Sequence, residues 1–260
     1  RQHLHHAASH ITGRVSLLSD GLAELILDRP LWLAENDRLV LRDIGARQTL
    51  GGARVLSLTT PKRGKRQPEY LAWLAALAQA DDDCQVLALH LPKGALDLAA
   101  FAWARQLTEK PLAALLASHE LLIAGDRALA QENAQLDQQR LLQVLAEYHQ
   151  QHADQLGLGR ARLRRMAVPQ LSEPLTFMMI DRLLAAGLLS NTRGWLHLPE
   201  HGLAFSAEEQ ILWAGIEPLF GDEAWWVRDL AAELGEDEAW VRTTLRKAAQ
   251  LGPVSYTHLT

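Results

Sequence analysis

Asn36 to Leu56 reads N-D-R-L-V-L-R-D-I-G-A-R-Q-T-L-G-G-A-R-V-L. Leu39 and Leu41 alternate with Arg38, Val40 and Arg42, the period of a strand with one buried and one wet face. A turn must follow, and Asp43 to Gly45 supplies it. Thr49-Leu50-Gly51-Gly52 then opens a second short strand, whose paired glycines suit a bulge or a close backbone approach. Upstream, Leu22 to Leu27 and Pro30 to Leu33 read as two more strands, broken by Asp28-Arg29-Pro30. Short strands at this spacing build a barrel or a sandwich.

The rest of the chain changes period. Thr60 ends the strand-rich region, and Pro61-Lys62-Arg63-Gly64-Lys65-Arg66-Gln67-Pro68 is a polar, basic linker bounded by prolines. Beyond it Leu71, Leu74, Leu77 and Ala78 mark one face of a helix. Three rounds of one pattern follow. The first adds a short strand at Val86 to Leu91, helices at Leu98 to Leu107 (Asp97 as N-cap) and Pro111 to Ala117, and a hairpin through Gly125-Asp126. The second has helices at Asp137 to His152, Gly159 to Met166 and Pro174 to Ala186. Its hairpin turns through Asn191-Thr192-Arg193-Gly194. Three helices and a hairpin make a winged helix. The third round runs from Ala207 through Trp225 to Leu234 and on through Glu238 to Gln250, with Gly252 closing it. Two apolar wing strands should come next, but Pro253 to Thr260 does not read as such and looks foreign to the fold.

A chain of 260 residues is comfortable for three or four small domains. No stretch approaches the roughly 20 apolar residues that span a bilayer, so a membrane protein is excluded. The single Cys84 cannot form an internal disulfide, and no apolar signal precedes Arg1-Gln2-His3, which together favour the cytoplasm. The start lacks a methionine and falls inside a strand-like pattern, as in a fragment. A formal charge of −5 means that contact with phosphate backbones has to come from local patches.

The chain has few groups arranged for chemistry. His3, His5, His6 and His10 are spaced to share a strand face, but nothing nearby supplies a further ligand, and they read as barrel-surface histidines. Gly157-Leu158-Gly159 is followed by neither Lys-Ser nor Lys-Thr and preceded by a helix, so it is a helix–helix turn and not a phosphate loop. Cys84 follows Asp81-Asp82-Asp83, a setting that blunts a thiol nucleophile. No paired carboxylates or nucleophilic serine suggest catalysis, and no catalytic or metal residue is expected. Trp73, Trp103, Trp213, Trp225, Trp226 and Trp240 read as core. Arg160, Arg162, Arg164 and Arg165 give one short helix a basic rim that could meet phosphates or could be a solvated face beside Glu173 and Asp181. Lys62, Arg63, Lys65 and Arg66 pose the same choice in the linker.

His10-Ile11-Thr12-Gly13-Arg14-Val15, Pro30-Leu31, Asn36 to Asp43 and Thr49 to Gly52 together resemble the third domain of translational GTPases related to elongation factor Tu. Continuation into winged helices narrows the resemblance to the bacterial selenocysteine-specific elongation factors, over the first residue to Gly252. The resemblance implies a multidomain chain, an antiparallel β-barrel followed by tandem winged helices. The expected bounds are barrel 1–60, linker 61–68, winged helices 69–131, 132–206 and 207–252 (incomplete), and tail 253–260.

Family resemblance also implies a function: delivery of selenocysteinyl-tRNA to a ribosome paused at UGA, with GTP and Mg held in an N-terminal domain that this chain lacks. The chain itself is then no enzyme and holds no cofactor, and it acts as a monomer. The messenger RNA hairpin would be read chiefly by a last winged helix, also missing. The barrel face bearing Thr12, Arg42, Asp43, Arg47, Gln48 and Thr49 would meet the T stem of the tRNA, although Ile44 to Gln48 is longer than the glycine pair usual in elongation factor Tu. Arg160, Arg162 and Arg164 would be a second RNA contact. A DNA-binding regulator is the rival reading, with Arg242, Arg246 and Lys247 as its recognition face; a structural adaptor that binds no nucleic acid is another.

Overall fold

The computed structural model of the chain describes residues 1–202, 204–219 and 225–251. Gly252 and the tail from Pro253 lie outside them. The chain divides into two compact units, 1–133 and 134–260.

The first unit opens with five antiparallel strands: β1 (Gln2–His6), β2 (Ser9–Ser19), β3 (Leu22–Leu27), β4 (Arg38–Arg42) and β5 (Thr49–Arg54), in the order β3-β2-β1-β4-β5. Alternation fixes which side each residue takes. Leu4 pairs with Ile11 on one side and Leu41 on the other, and with Leu39 these line the inner face. The ladder between β4 and β5 shifts register between Leu41 and Arg42, next to Gly51-Gly52, where a bulge was expected. Residues 30–33 differ from expectation and form no strand. Pro30 has no N–H to give a ladder, and the Asp37 carboxylate instead receives the Ala34 N–H at 2.7 Å.

The sheet curls like a barrel, with β3 and β5 as its edges. Leucines of both halves line a cleft of about 440 Å³, which Tyr70 and Leu74 of α1 (Pro68–Gln79) also line. That helix starts the first winged helix. Next come α2 (Asp83–His90), a 3₁₀ turn over Leu91–Lys93, β6 (Leu96–Asp97), α3 (Leu98–Arg105), α4 (Glu109–Ala117), β7 (Leu121–Ala124) and β8 (Arg127–Ala130). The segment Val86 to Leu91 is thus helical and not a strand. Asp82 caps it by accepting the Gln85 N–H at 2.8 Å, which fixes a helical start. The wing's first strand is the two-residue β6, in a sheet ordered β6-β8-β7. Asp97 caps α3 as expected, accepting the Ala100 N–H.

Barrel and first winged helix share a core. Leu18, Leu22 and Leu56 pack against the cluster of Leu74, Leu77, Val86 and Phe101. A buried ion cluster joins them as well: Arg105 of α3 donates to Asp83 at 2.7 Å and lies 3.6 Å from Glu35 of the β3–β4 loop. Burial raises the Glu35 carboxyl above its ordinary value, against the pull of Arg105. The linker is tied down, with Lys65 on Glu24 and Arg66 donating to the Leu17 carbonyl.

The helix α5 (Gln131–Gln151) leads into the second unit, with α6 (Arg160–Ala167), α7 (Glu173–Ala185) and a hairpin of β9 (Ser190–Thr192) and β10 (Trp195–His197). Arg193 and Gly194 both have positive φ, the two-residue primed turn that matches strand twist. Gly157 is obligatory, because a Cβ there would meet the Leu196 carbonyl oxygen at 1.9 Å. This close approach lets Leu158 pair with Leu196, stitching the helix–helix turn to the wing. Three more helices follow: α8 (Ala207–Ile216), α9 (Val227–Leu234) and α10 (Glu238–Leu251). A capping box at Ser206 and Glu209 starts α8.

Two tryptophans expected in the core are not there. Trp103 is 53% exposed and Trp226 63%, while Trp73, Trp213, Trp225 and Trp240 pack against the apolar clusters.

Candidate nucleic-acid interface

The outer face of the barrel sheet collects cationic and imidazole side chains. On β1 the residues flanking buried Leu4 are His3 and His5. Across the ladders His3 is opposite Thr12 and Arg42, and His5 is opposite His10 and Val40. The three rings of His3, His5 and His10 have centroids 5.7–6.5 Å apart. Arg14 shares the parity of Thr12 on β2, and Arg38 faces Arg54 across β4 and β5. Sequence reading singled out Thr12 and Arg42 but treated the histidines only as surface residues. The available signal was the two-residue step between His3 and His5 on one strand and between His10 and Thr12 on the next.

Among the six barrel residues expected at this interface, two have side chains engaged within the fold. The Thr12 hydroxyl donates to Asp28 at 2.6 Å. Asp43 accepts the Gln48 N–H at 2.6 Å, and its own N–H goes to the Gln48 carbonyl. This bond to Gln48, with lesser ones from Arg47 and Gly45, pulls the Asp43 carboxyl below its ordinary value. Asp43 is therefore the clasp of the Ile44 to Gln48 loop. His3 supports the same loop from β1, its Nε2 3.2 Å from the Ile44 carbonyl oxygen. The loop holds Arg47 and Gln48 exposed beside Thr49 and half-buried Arg42.

The arginines of α6 lie in the other unit. Arg160 pairs with Asp181 at 2.6 Å and Arg164 donates to the Leu171 carbonyl near Glu173. Arg162 lies over the Tyr148 ring. On α10, Arg242 pairs with Glu238 and Lys247 with Glu209 at 2.5 Å. Intramolecular carboxylates thus hold two of the three cations on which a DNA-recognition face would depend.

Charge is segregated along the chain. Residues 1–67 hold eleven Lys and Arg against six Asp and Glu, a net of +5 that leaves −10 for the remainder. The basic part is the barrel with its linker. Among the described residues no three His, Cys, Asp or Glu stand in metal-holding geometry, and no helix is long and apolar enough to cross a membrane.

The chain thus places a curled antiparallel sheet with a basic outer face ahead of winged helices. Four segments of the chain match domains of known proteins. Residues 1–62 match the β-barrel domain of the selenocysteine-specific elongation factor, 68–115 its winged helix 1/3, 142–198 an elongation factor SelB winged helix, and 205–256 a further winged-helix domain of the same factor. The selenocysteine-specific elongation factor of Escherichia coli is 55% identical over 97% of the chain, and that of Haemophilus influenzae 40% over 96%. The crystal structure of a bacterial selenocysteine-specific elongation factor, EF-Sec, aligns over 96% of the chain and 49% of its own, with a TM-score of 0.56 at 15% identity. The chain belongs to the selenocysteine-specific elongation factor family. It spans about two-fifths of the length of its curated relatives.

Proposed function

We propose that this chain is the tRNA-holding and arm-forming part of a cytoplasmic, monomeric factor that brings selenocysteinyl-tRNA to the ribosome at UGA codons. The barrel grips the tRNA through its basic outer face, with Arg42 and Arg47 as the principal phosphate contacts and Thr12, Gln48 and Thr49 as polar ones. Phosphate contacts of this kind position an RNA without reading its sequence. The winged helices extend toward the messenger RNA hairpin, with Arg160, Arg162 and Arg164 as a lesser RNA contact. Coupling the two ends raises the effective concentration of charged tRNA at the decoding ribosome. GTP and Mg belong to a domain outside this chain, so the chain alone neither binds nor hydrolyses GTP.

The observation that carries this reading is the juxtaposition of Arg42 and three imidazoles on one face of the family's barrel, with Arg47 exposed in the loop that follows Arg42. Filter binding with selenocysteinyl-tRNA tests it. Arg42→Ala combined with Arg47→Ala is expected to weaken binding about tenfold or more, since each removes a charge-assisted contact. Unchanged affinity would sink the assignment of this face.

A further inference from the structure

Trp32 lies in the β3–β4 loop with 81% of its surface exposed, and its one aromatic neighbour among the described residues is Trp103 of α3, edge to face with ring centroids 5.7 Å apart. Exposing so large an apolar ring forfeits the burial that a tryptophan ordinarily brings. A single exposed ring needs no explanation, but this one lines a groove. The groove, about 530 Å³, lies between the β1–β2 turn and the β3–β4 loop and includes Ser9, His10, Arg29 and Trp32. Its lining carries a guanidinium, an imidazole, a hydroxyl and an indole, and no carboxylate. A flat ring beside a guanidinium and an imidazole suits one class of ligand: a planar, electron-rich group attached to an anion.

The groove is continuous with the basic face. His10 lines it and at the same time stands opposite His5 in the β1–β2 ladder, with ring centroids 5.7 Å apart. An RNA backbone running from Arg42 past His3 and His5 would reach His10 and then the Trp32 ring. Unpaired bases are the part of an RNA free to stack on an aromatic side chain, whereas paired bases are already stacked in the helix.

We propose that the Trp32 groove is a binding site for one unpaired nucleotide of the RNA held on the barrel. The base stacks on the indole, and Arg29 and His10 take the adjoining phosphate. The proposal rests on the RNA-binding reading of the face and adds to it a contact to single-stranded RNA. A protein side chain seated in the groove is the competing occupant, and the absence of any carboxylate in the lining together with continuity with the cationic face favours the nucleotide.

The test measures the whole chain against two probes, a short RNA minihelix with a single-stranded tail and the same minihelix made blunt. Trp32→Ala is expected to weaken binding of the tailed probe by about 5- to 150-fold, the range of one base–aromatic stack, and to leave the blunt probe unchanged. Trp32→Phe, which keeps a stacking face, should restore most of the loss. A halogenated uracil in the tail should crosslink on irradiation to the peptide containing Trp32. Tailed-probe binding that survives Trp32→Ala, or crosslinks that map elsewhere, would overturn the groove while leaving the basic face standing. Failure of the unaltered chain to bind either probe would remove the RNA reading and this site with it.

Discussion

His149 shows how a single side chain ties the second unit to pH. It is buried and lies flat on His201, ring centroids 3.7 Å apart and planes within 8°. Burial, with added repulsion from His201 and His197, lowers its pKa to about 4. A base so depressed binds its proton more readily in the unfolded chain, whose histidines titrate near 6.5. The folded state therefore has its full advantage above about pH 6.5 and loses it as pH falls toward 4. A shift of this size corresponds to on the order of 3 kcal/mol. Urea midpoints for the second unit should fall across that window, and His149→Phe, which keeps the stack without the titrating nitrogens, should flatten the slope. An identical acid slope in the variant would show that other groups govern it.

At the level of elements, the join between barrel and first winged helix depends on Arg105. Its guanidinium stands between Glu35 and Asp83, with Arg105 and Glu35 both nearly sealed from water. Removing one partner from a buried ion cluster leaves the others uncompensated, at a cost of about 3–5 kcal/mol. Arg105→Met is expected to lower the stability of the first unit by about that much in chemical denaturation, and Glu35→Gln added to it should recover part of the loss because one stranded carboxylate is gone. A loss below about 1 kcal/mol would mean that the apolar core around Leu22 and Leu74 holds the join unaided. The helix α2, which Asp83 opens, shows what was and was not legible in sequence. Helices with a local stop or cap, such as α3 after Asp97 or α7 before Gly187, were readable because the signal is contained in the element. The run Val86 to Leu91 was misread because a short apolar stretch has no period that separates strand from helix, and the deciding bond, Asp82 to the Gln85 N–H, is a matter of backbone path. The interface was half legible in the same sense. The family resemblance grouped Arg42 and Thr12, but that Asp43 would close a loop, and that His3 would brace it, depends on where the chain returns.

Across the whole molecule the net charge is a poor guide to its partners. The value of −5 belongs to neither part: the barrel and linker carry +5, the winged-helix region −10. Like-charge repulsion disfavours a polyanion along most of the chain, in keeping with the proposal that RNA lands on the barrel. This has a measurable consequence in the salt dependence of binding. If three to five phosphates are neutralised by the barrel face, the logarithm of the tRNA association constant should fall with the logarithm of salt at a slope of about −3 to −4.5. Arg42→Ala with Arg47→Ala should reduce that slope by about two contacts' worth, whereas Arg160→Ala with Arg164→Ala, whose guanidiniums already meet Asp181, Glu173 and the Leu171 carbonyl, should change it by less than one. The opposite ranking, a slope that answers to α6 and ignores the barrel, would relocate the interface to the second unit.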